Sequence, residues 1–116
     1  MLIHLCIAKT NKIKKKENLN VNDWINFKED NNAVLIDVRT LAEFNEGHID
    51  GALHIDVFSP NFQSEIEKLD KSKAYFLVCR SGGRSASAGG AMESMGFEKV
   101  TNLAGGMMVW MGEISY

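Results

Sequence analysis

Two unbroken apolar runs limit the fold of this chain more than anything else: "AVLIDV", Ala33 to Val38, and "AYFLVC", Ala74 to Cys79. Neither alternates apolar with polar residues. A strand with one wet face would alternate, so these runs predict strands covered on both faces, the habit of parallel sheets. Parallel neighbours need crossover connections, and the intervening segments are amphipathic, as crossovers require. "SPNFQSEIEKLD" places Phe62, Ile66 and Leu69 on one helical face, with Pro60 near its start. "NDWINFKED", opened by Asn22 and Asp23 as capping residues, brings Trp24 and Phe27 to helical spacing. Thr40 caps a turn through "LAEFNEG", with Glu43 in the capping-box position and Gly47 as the stop. "GALHIDV" predicts a weaker strand and "FEKVTNL" a last one, before "GGMMVWMGEI" closes as helix or turn. Between them, Ser85 to Met95 is helical by spacing, since Ala88, Ala91, Met92 and Met95 share a face and Gly96 suits the C′ position. The expectation is one α/β domain: a mostly parallel central sheet of about five strands with helices on both faces.

At 116 residues the chain is long enough to bury a core but not to divide into several domains. A net charge of −2 supplies no global field for nucleic acid or an anionic membrane, so any anion binding must be local. The two cysteines, Cys6 and Cys79, provide neither a disulfide framework nor metal-ligand spacing, and no metal or cofactor is expected. "MLIHLCIA" is far short of the roughly 20 apolar residues that a membrane span needs, and it lacks the leading charges of a secretory signal. Residues 1–17 therefore read as an N-terminal arm or linker and 18–116 as the domain, in a cytoplasmic protein. The alternative is an arm used for export or at a membrane surface. Lys9 to Lys16 reads as a solvated linker.

The chemistry is expected where "AYFLVC" ends. Ligands of α/β sheets gather at the carboxyl ends of strands, and Cys79 stands there. "RSGGR", Arg80 to Arg84, then leads into a helix near Ser85. Gly82 and Gly83 are expected to take positive φ and turn backbone amides inward as an anion nest. The helix start adds a partial positive charge, and Arg80 and Arg84 add full ones. These surroundings favour thiolate, lowering a cysteine pKa that is ordinarily ~8.5. A cysteine ending a strand is often an inert buried side chain. The arginine–glycine loop favours a reactive thiol or an anion site instead. Cys79 is thus the candidate nucleophile, with Arg80, Ser81, Gly82, Gly83, Arg84 and Ser85 around its substrate. Asp37 and Arg39 reach the same sheet edge as candidate border residues, a structural ion pair being the favoured reading. His48 and His54 read as structural hydrogen-bonding groups rather than proton carriers. A Walker loop is excluded, because no Gly-Lys-Ser/Thr follows the glycines.

"LIDVRTLAEFNEGHIDGALHI" and "VCRSGGRSASAGGAMESMGFEKVTNLAGGMMVW" together resemble the signatures of the rhodanese family of single-domain sulfurtransferases, over about Leu19 to Trp110. The resemblance implies that Cys79 takes a sulfane sulfur from a small anionic donor such as thiosulfate. Cys79 would hold it as a persulfide and pass it to a thiol or cyanide acceptor, in ping-pong fashion. It further implies that the loop from Arg80 to Ser85 holds donor and persulfide through amides and arginine charge. Glu43, His48 and Trp110 read as structural: helix cap, loop hydrogen bond and core packing. Phe58, Met107 and Met108 are placed at the rim, and Cys6 is read as idle. Gly89 and Gly90 depart from the family pattern, each at a cost of ~0.5–1 kcal/mol relative to alanine in a helix. Close packing or local softness would accompany them.

Two rivals stand beside this reading. Cysteine phosphatases and arsenate reductases resemble Cys-x5-Arg, whereas four residues separate Cys79 from Arg84, a smaller ring better suited to a persulfide sulfur. Val78 also fills the place where the phosphatase pattern has histidine. The second rival is a non-catalytic rhodanese-like binding module, against which the retained Cys79 and complete loop weigh.

Overall fold

A computed structural model of the chain describes residues 17–29 and 32–116. The N-terminal arm, with its lysine run and Cys6, lies outside the described residues apart from Glu17. Among the described residues, five strands form one sheet: β1 (Glu17–Asn20), β2 (Ala33–Asp37), β3 (Leu53–His54), β4 (Ala74–Val78) and β5 (Lys99–Ala104), in the order β1-β5-β4-β2-β3. Every pairing is parallel, so the sheet expected to be mostly parallel is wholly so. The helices of the described residues are α1 (Leu41–Glu46), α2 (Phe62–Glu67), α3 (Gly83–Ser94) and α4 (Gly106–Val109), with a 3₁₀ helix at Val21–Asn26.

Period-two geometry divides the apolar runs between two cores. Along β4, Tyr75 and Leu77, followed by Cys79, join Ile36, Val38, Ile66, Ala88 and Met92 on one face. Phe76 and Val78 join Val21, Trp24, Leu35 and Leu103 on the other. Helices α2 and α3 therefore cover the first face, and the 3₁₀ helix and α4 cover the second. Each large aliphatic side chain buried this way stabilises the fold by about 1.5–3 kcal/mol. Among the described residues, no helix is long and apolar enough to cross a membrane.

Three local expectations change. The segment "NDWINFKED" forms a 3₁₀ helix capped by Asn20, whose side chain accepts from the Asn22 N–H. Asn22 is occupied elsewhere: its amide donates to the Val109 carbonyl at 3.0 Å and accepts from the Met111 N–H at 2.8 Å. With that short element, Trp24 is buried and Phe27 stays 41% exposed. In α3 the buried face is Ser85, Ala88, Gly89 and Met92, while Ala91 points to solvent. Helix α3 also starts two residues before Ser85, at Gly83. The capping box is present as expected, with the Glu43 N–H on the Thr40 hydroxyl and the Thr40 N–H on the Glu43 carboxylate.

Candidate active site

Cys79 follows β4, the strand flanked by β2 and β5 in the middle of the sheet. Its surroundings are set first by backbone. The carbonyls of Cys79 and Arg80 accept hydrogen bonds from the Met107 and Met108 N–H groups at 2.8 and 2.9 Å. This close approach needs Gly106, whose φ is +57°. A Cβ there would overlap the Cys79 carbonyl oxygen and come within 2.7 Å of the Arg80 carbonyl. With those carbonyls held against α4, the following amides turn toward the sulfur. Gly82, at φ +111°, makes the turn, and its N–H donates to Cys79 Sγ at 3.0 Å. Gly83 does not share the positive φ expected of both glycines. One left-handed residue suffices to reverse the chain, and Gly83 already lies in the first turn of α3.

Cys79 is only 1% exposed, and its Sγ also accepts from the Ser85 hydroxyl at 3.3 Å. Burial pushes the thiol pKa up. The Ser85 hydroxyl and the amides of Ser85, Gly82 and Ser81 together outweigh that, holding the pKa below its ordinary value. This geometry favours the thiolate at a strand end.

The arginines stand further out. Arg84 forms a two-pronged pair with Glu43 at 2.8 and 2.9 Å, and its guanidinium lies 5.9 Å from the Phe58 ring centre. Hydrogen bonding from Arg84, joined by the cap at Thr40, carries Glu43 from 4.5 down to about 2 against its desolvation. Glu43 thus does more than the capping read from sequence: it ties α1 to the start of α3. Arg80 is exposed at the loop surface. Asp37 and Arg39 form the ion pair favoured from sequence, fully buried on the Asp37 side, with Nη2 to Oδ2 at 2.7 Å. Arg39 Nη2 also donates to the Gly47 carbonyl at 2.8 Å, and His54 Nε2 donates to the Arg39 carbonyl at 2.7 Å. Removing one partner of such a buried pair leaves an uncompensated charge, at about 3–5 kcal/mol. His48 is likewise structural, donating from Nδ1 to the Phe44 carbonyl and stacking on its ring at 3.8 Å.

The sequence profile of the rhodanese-like domain matches residues 21–113, most of the chain and all of this site. The chain belongs to the rhodanese-like family. It is 43% identical over 84 residues to the Bacillus subtilis protein YtwF, covering 72% of this chain and 79% of the relative. It is 31% identical over 94 residues to the thiosulfate sulfurtransferase GlpE of Shewanella oneidensis, covering 81% and 91% respectively. The crystal structure of a rhodanese-like domain protein from Staphylococcus aureus superposes with a TM-score of 0.75 at 27% identity, over 85% of this chain and 96% of that one.

Two parts of this rhodanese-like site escaped the sequence reading. Gly106, quoted there only as part of a closing motif, is the close-approach glycine behind Cys79 and Arg80. Asn102 is 4% exposed on β5 and accepts from the Ser85 hydroxyl at 2.5 Å. An amide buried inside an otherwise apolar strand end was the available signal for it. At the rim, Phe58 and Met108 are 69% and 67% exposed, but the Met107 side chain packs against the second core. The backbone of Met107, not its side chain, serves the loop.

Proposed function

We propose that this protein is a sulfurtransferase that carries a sulfane sulfur on Cys79. The observation that supports it most is the buried Sγ held by the Gly82 N–H and the Ser85 hydroxyl, with the thiol pKa lowered by that hydroxyl and the loop amides. Such a sulfur is nucleophilic near neutral pH, and the same donors suit a persulfide anion. Family membership and likeness to a thiosulfate sulfurtransferase point to thiosulfate as donor.

In the first half-reaction the Cys79 thiolate attacks the outer sulfur of thiosulfate. An S–S bond forms, the sulfur–sulfur bond of the donor breaks, and sulfite leaves with its electron pair. In the second, a cyanide or thiolate acceptor attacks the outer persulfide sulfur, and the Cys79 thiolate departs. With cyanide the product is thiocyanate. Exposed Arg80 supplies positive charge where the donor enters, and the loop to Ser85 surrounds the carried sulfur. Arg84, paired to Glu43, holds the far side of the loop in place. A four-residue gap between Cys79 and Arg84 leaves too small a ring for a phosphate group. A cytoplasmic setting, which keeps thiols reduced, suits this chemistry.

Intact mass after incubation with thiosulfate tests the proposal. The expected result is one added sulfur, lost on cyanide treatment and absent in Cys79→Ser. An unmodified wild-type chain would instead indicate a binding module, and rapid hydrolysis of an aryl phosphate a phosphatase.

A further inference from the structure

The Ser85 hydroxyl has one proton and two acceptors. Asn102 Oδ1 lies 2.5 Å away and Cys79 Sγ 3.3 Å away, so both cannot be served at once. The two contacts compete for that proton, the one to Asn102 being the shorter. The Asn102 amide nitrogen in turn donates to Asn18 Oδ1 at 2.9 Å, across from it in the β1–β5 register. The row Cys79–Ser85–Asn102–Asn18 thus runs from the sulfur to the exposed edge of the sheet, where Asn18 meets solvent.

A charged sulfur needs the Ser85 proton. Once Ser85 donates to it, lone pairs of Ser85 Oγ and Asn102 Oδ1 face each other at a buried position, which is unfavourable. A half-turn of the Asn102 amide removes the conflict: Nδ2 then donates to Ser85 Oγ, and Oδ1 turns to Asn18. An amide has nearly the same shape either way, and Asn18 can follow by the same half-turn or give way to water. We propose that Asn102 is a positioning residue for Cys79, its amide reversing with Asn18 so that the Ser85 proton is directed to the sulfur when the sulfur is charged. The inference rests on the sulfur-transfer reading for its purpose, but its mechanics concern the thiol alone.

Other charges around Cys79 stay fixed in this comparison. They are Arg84 with its partner Glu43, Asp37 with its partner Arg39, and exposed Arg80. A carboxylate accepts and never donates, so Asp at either asparagine position blocks the reversed arrangement. Asn18→Asp pins the Asn102 nitrogen outward and its oxygen on Ser85. Asn102→Asp holds the Ser85 proton directly.

The test is the pH midpoint of Cys79 alkylation by iodoacetamide, on protein never exposed to a sulfur donor. Asn102→Asp and Asn18→Asp are expected to raise the midpoint by about one unit, with about tenfold slower reaction at neutral pH. For Asn18→Asp the shift is expected to persist in ~1 M salt, where Coulomb effects through solvent are largely screened. An unmoved midpoint in Asn18→Asp at high salt overturns the proposal. Asn18 is exposed, so its variant decides the question even if Asn102→Asp fails to fold. Wild-type protein that takes no sulfur from thiosulfate would sink the proposed function while leaving this measurement readable.

Discussion

A buried thiol resists ionisation because a charge inside a protein loses its water, and Cys79 meets that cost with short-range donors rather than with a neighbouring base. The arginines matter through architecture. Arg84 is committed to Glu43, so this pair stabilises the loop more than it touches the sulfur. Glu43→Ala is expected to destabilise the protein by about 1–2 kcal/mol at neutral pH, through the lost side-chain half of the capping box and a partly exposed ion pair. The sign of the pH dependence follows from a folded pKa of about 2, below the ordinary 4.5. The charge-linked share is complete above the ordinary value and is lost as pH falls toward the folded one. Urea midpoints of wild type and variant at pH 7 and pH 3 check this: the gap should narrow in acid, and a constant gap would leave only the cap. Cys79 and the capping role of Glu43 were readable from sequence because both depend on near neighbours. The Arg84 partner, 41 residues away, and Asn102 were not, since only the fold brings them together.

Among elements, α3 carries the loop yet contains two adjacent glycines. Gly89 is buried on the helix face that meets the sheet, whereas a Cβ at Gly90 would meet nothing within 4 Å. The close packing offered for both glycines thus has no counterpart at Gly90. Gly90→Ala is expected to stabilise the protein by about 0.5–1 kcal/mol, because alanine loses less backbone freedom on folding. An upward shift of the urea midpoint with unchanged Cys79 alkylation would agree; a downward shift would mean that the helix needs the glycine. Boundaries were the weakest part of the sequence reading. Gly82 and Gly83 look alike as letters, but only one turns the chain. Strand β1, "ENLN", has one apolar residue and pairs along one edge, so no periodicity announces it. The 3₁₀ helix is capped by Asn20, while Asn22 anchors the C-terminal segment.

At the scale of the molecule, the apolar runs that predict a parallel sheet also place the candidate site. Strand β4 sits between β2 and β5, and its carboxyl end opens onto the α3 loop on one side and α4 on the other. The Asp37–Arg39 pair braces the same end from β2. Fold class was therefore readable from hydrophobic pattern, and strand order and the polar row through Asn102 were not. The central claim is that this assembly lowers the Cys79 pKa and so favours its thiolate. Its depressed pKa means that reactivity should persist below the ordinary ~8.5 and fail only as pH drops through the folded value. The most direct measurement is the rate of Cys79 alkylation against pH in wild type and Ser85→Ala. The account predicts a wild-type midpoint below 8.5 that moves upward in the variant; a midpoint at or above 8.5, unmoved by the substitution, would contradict it.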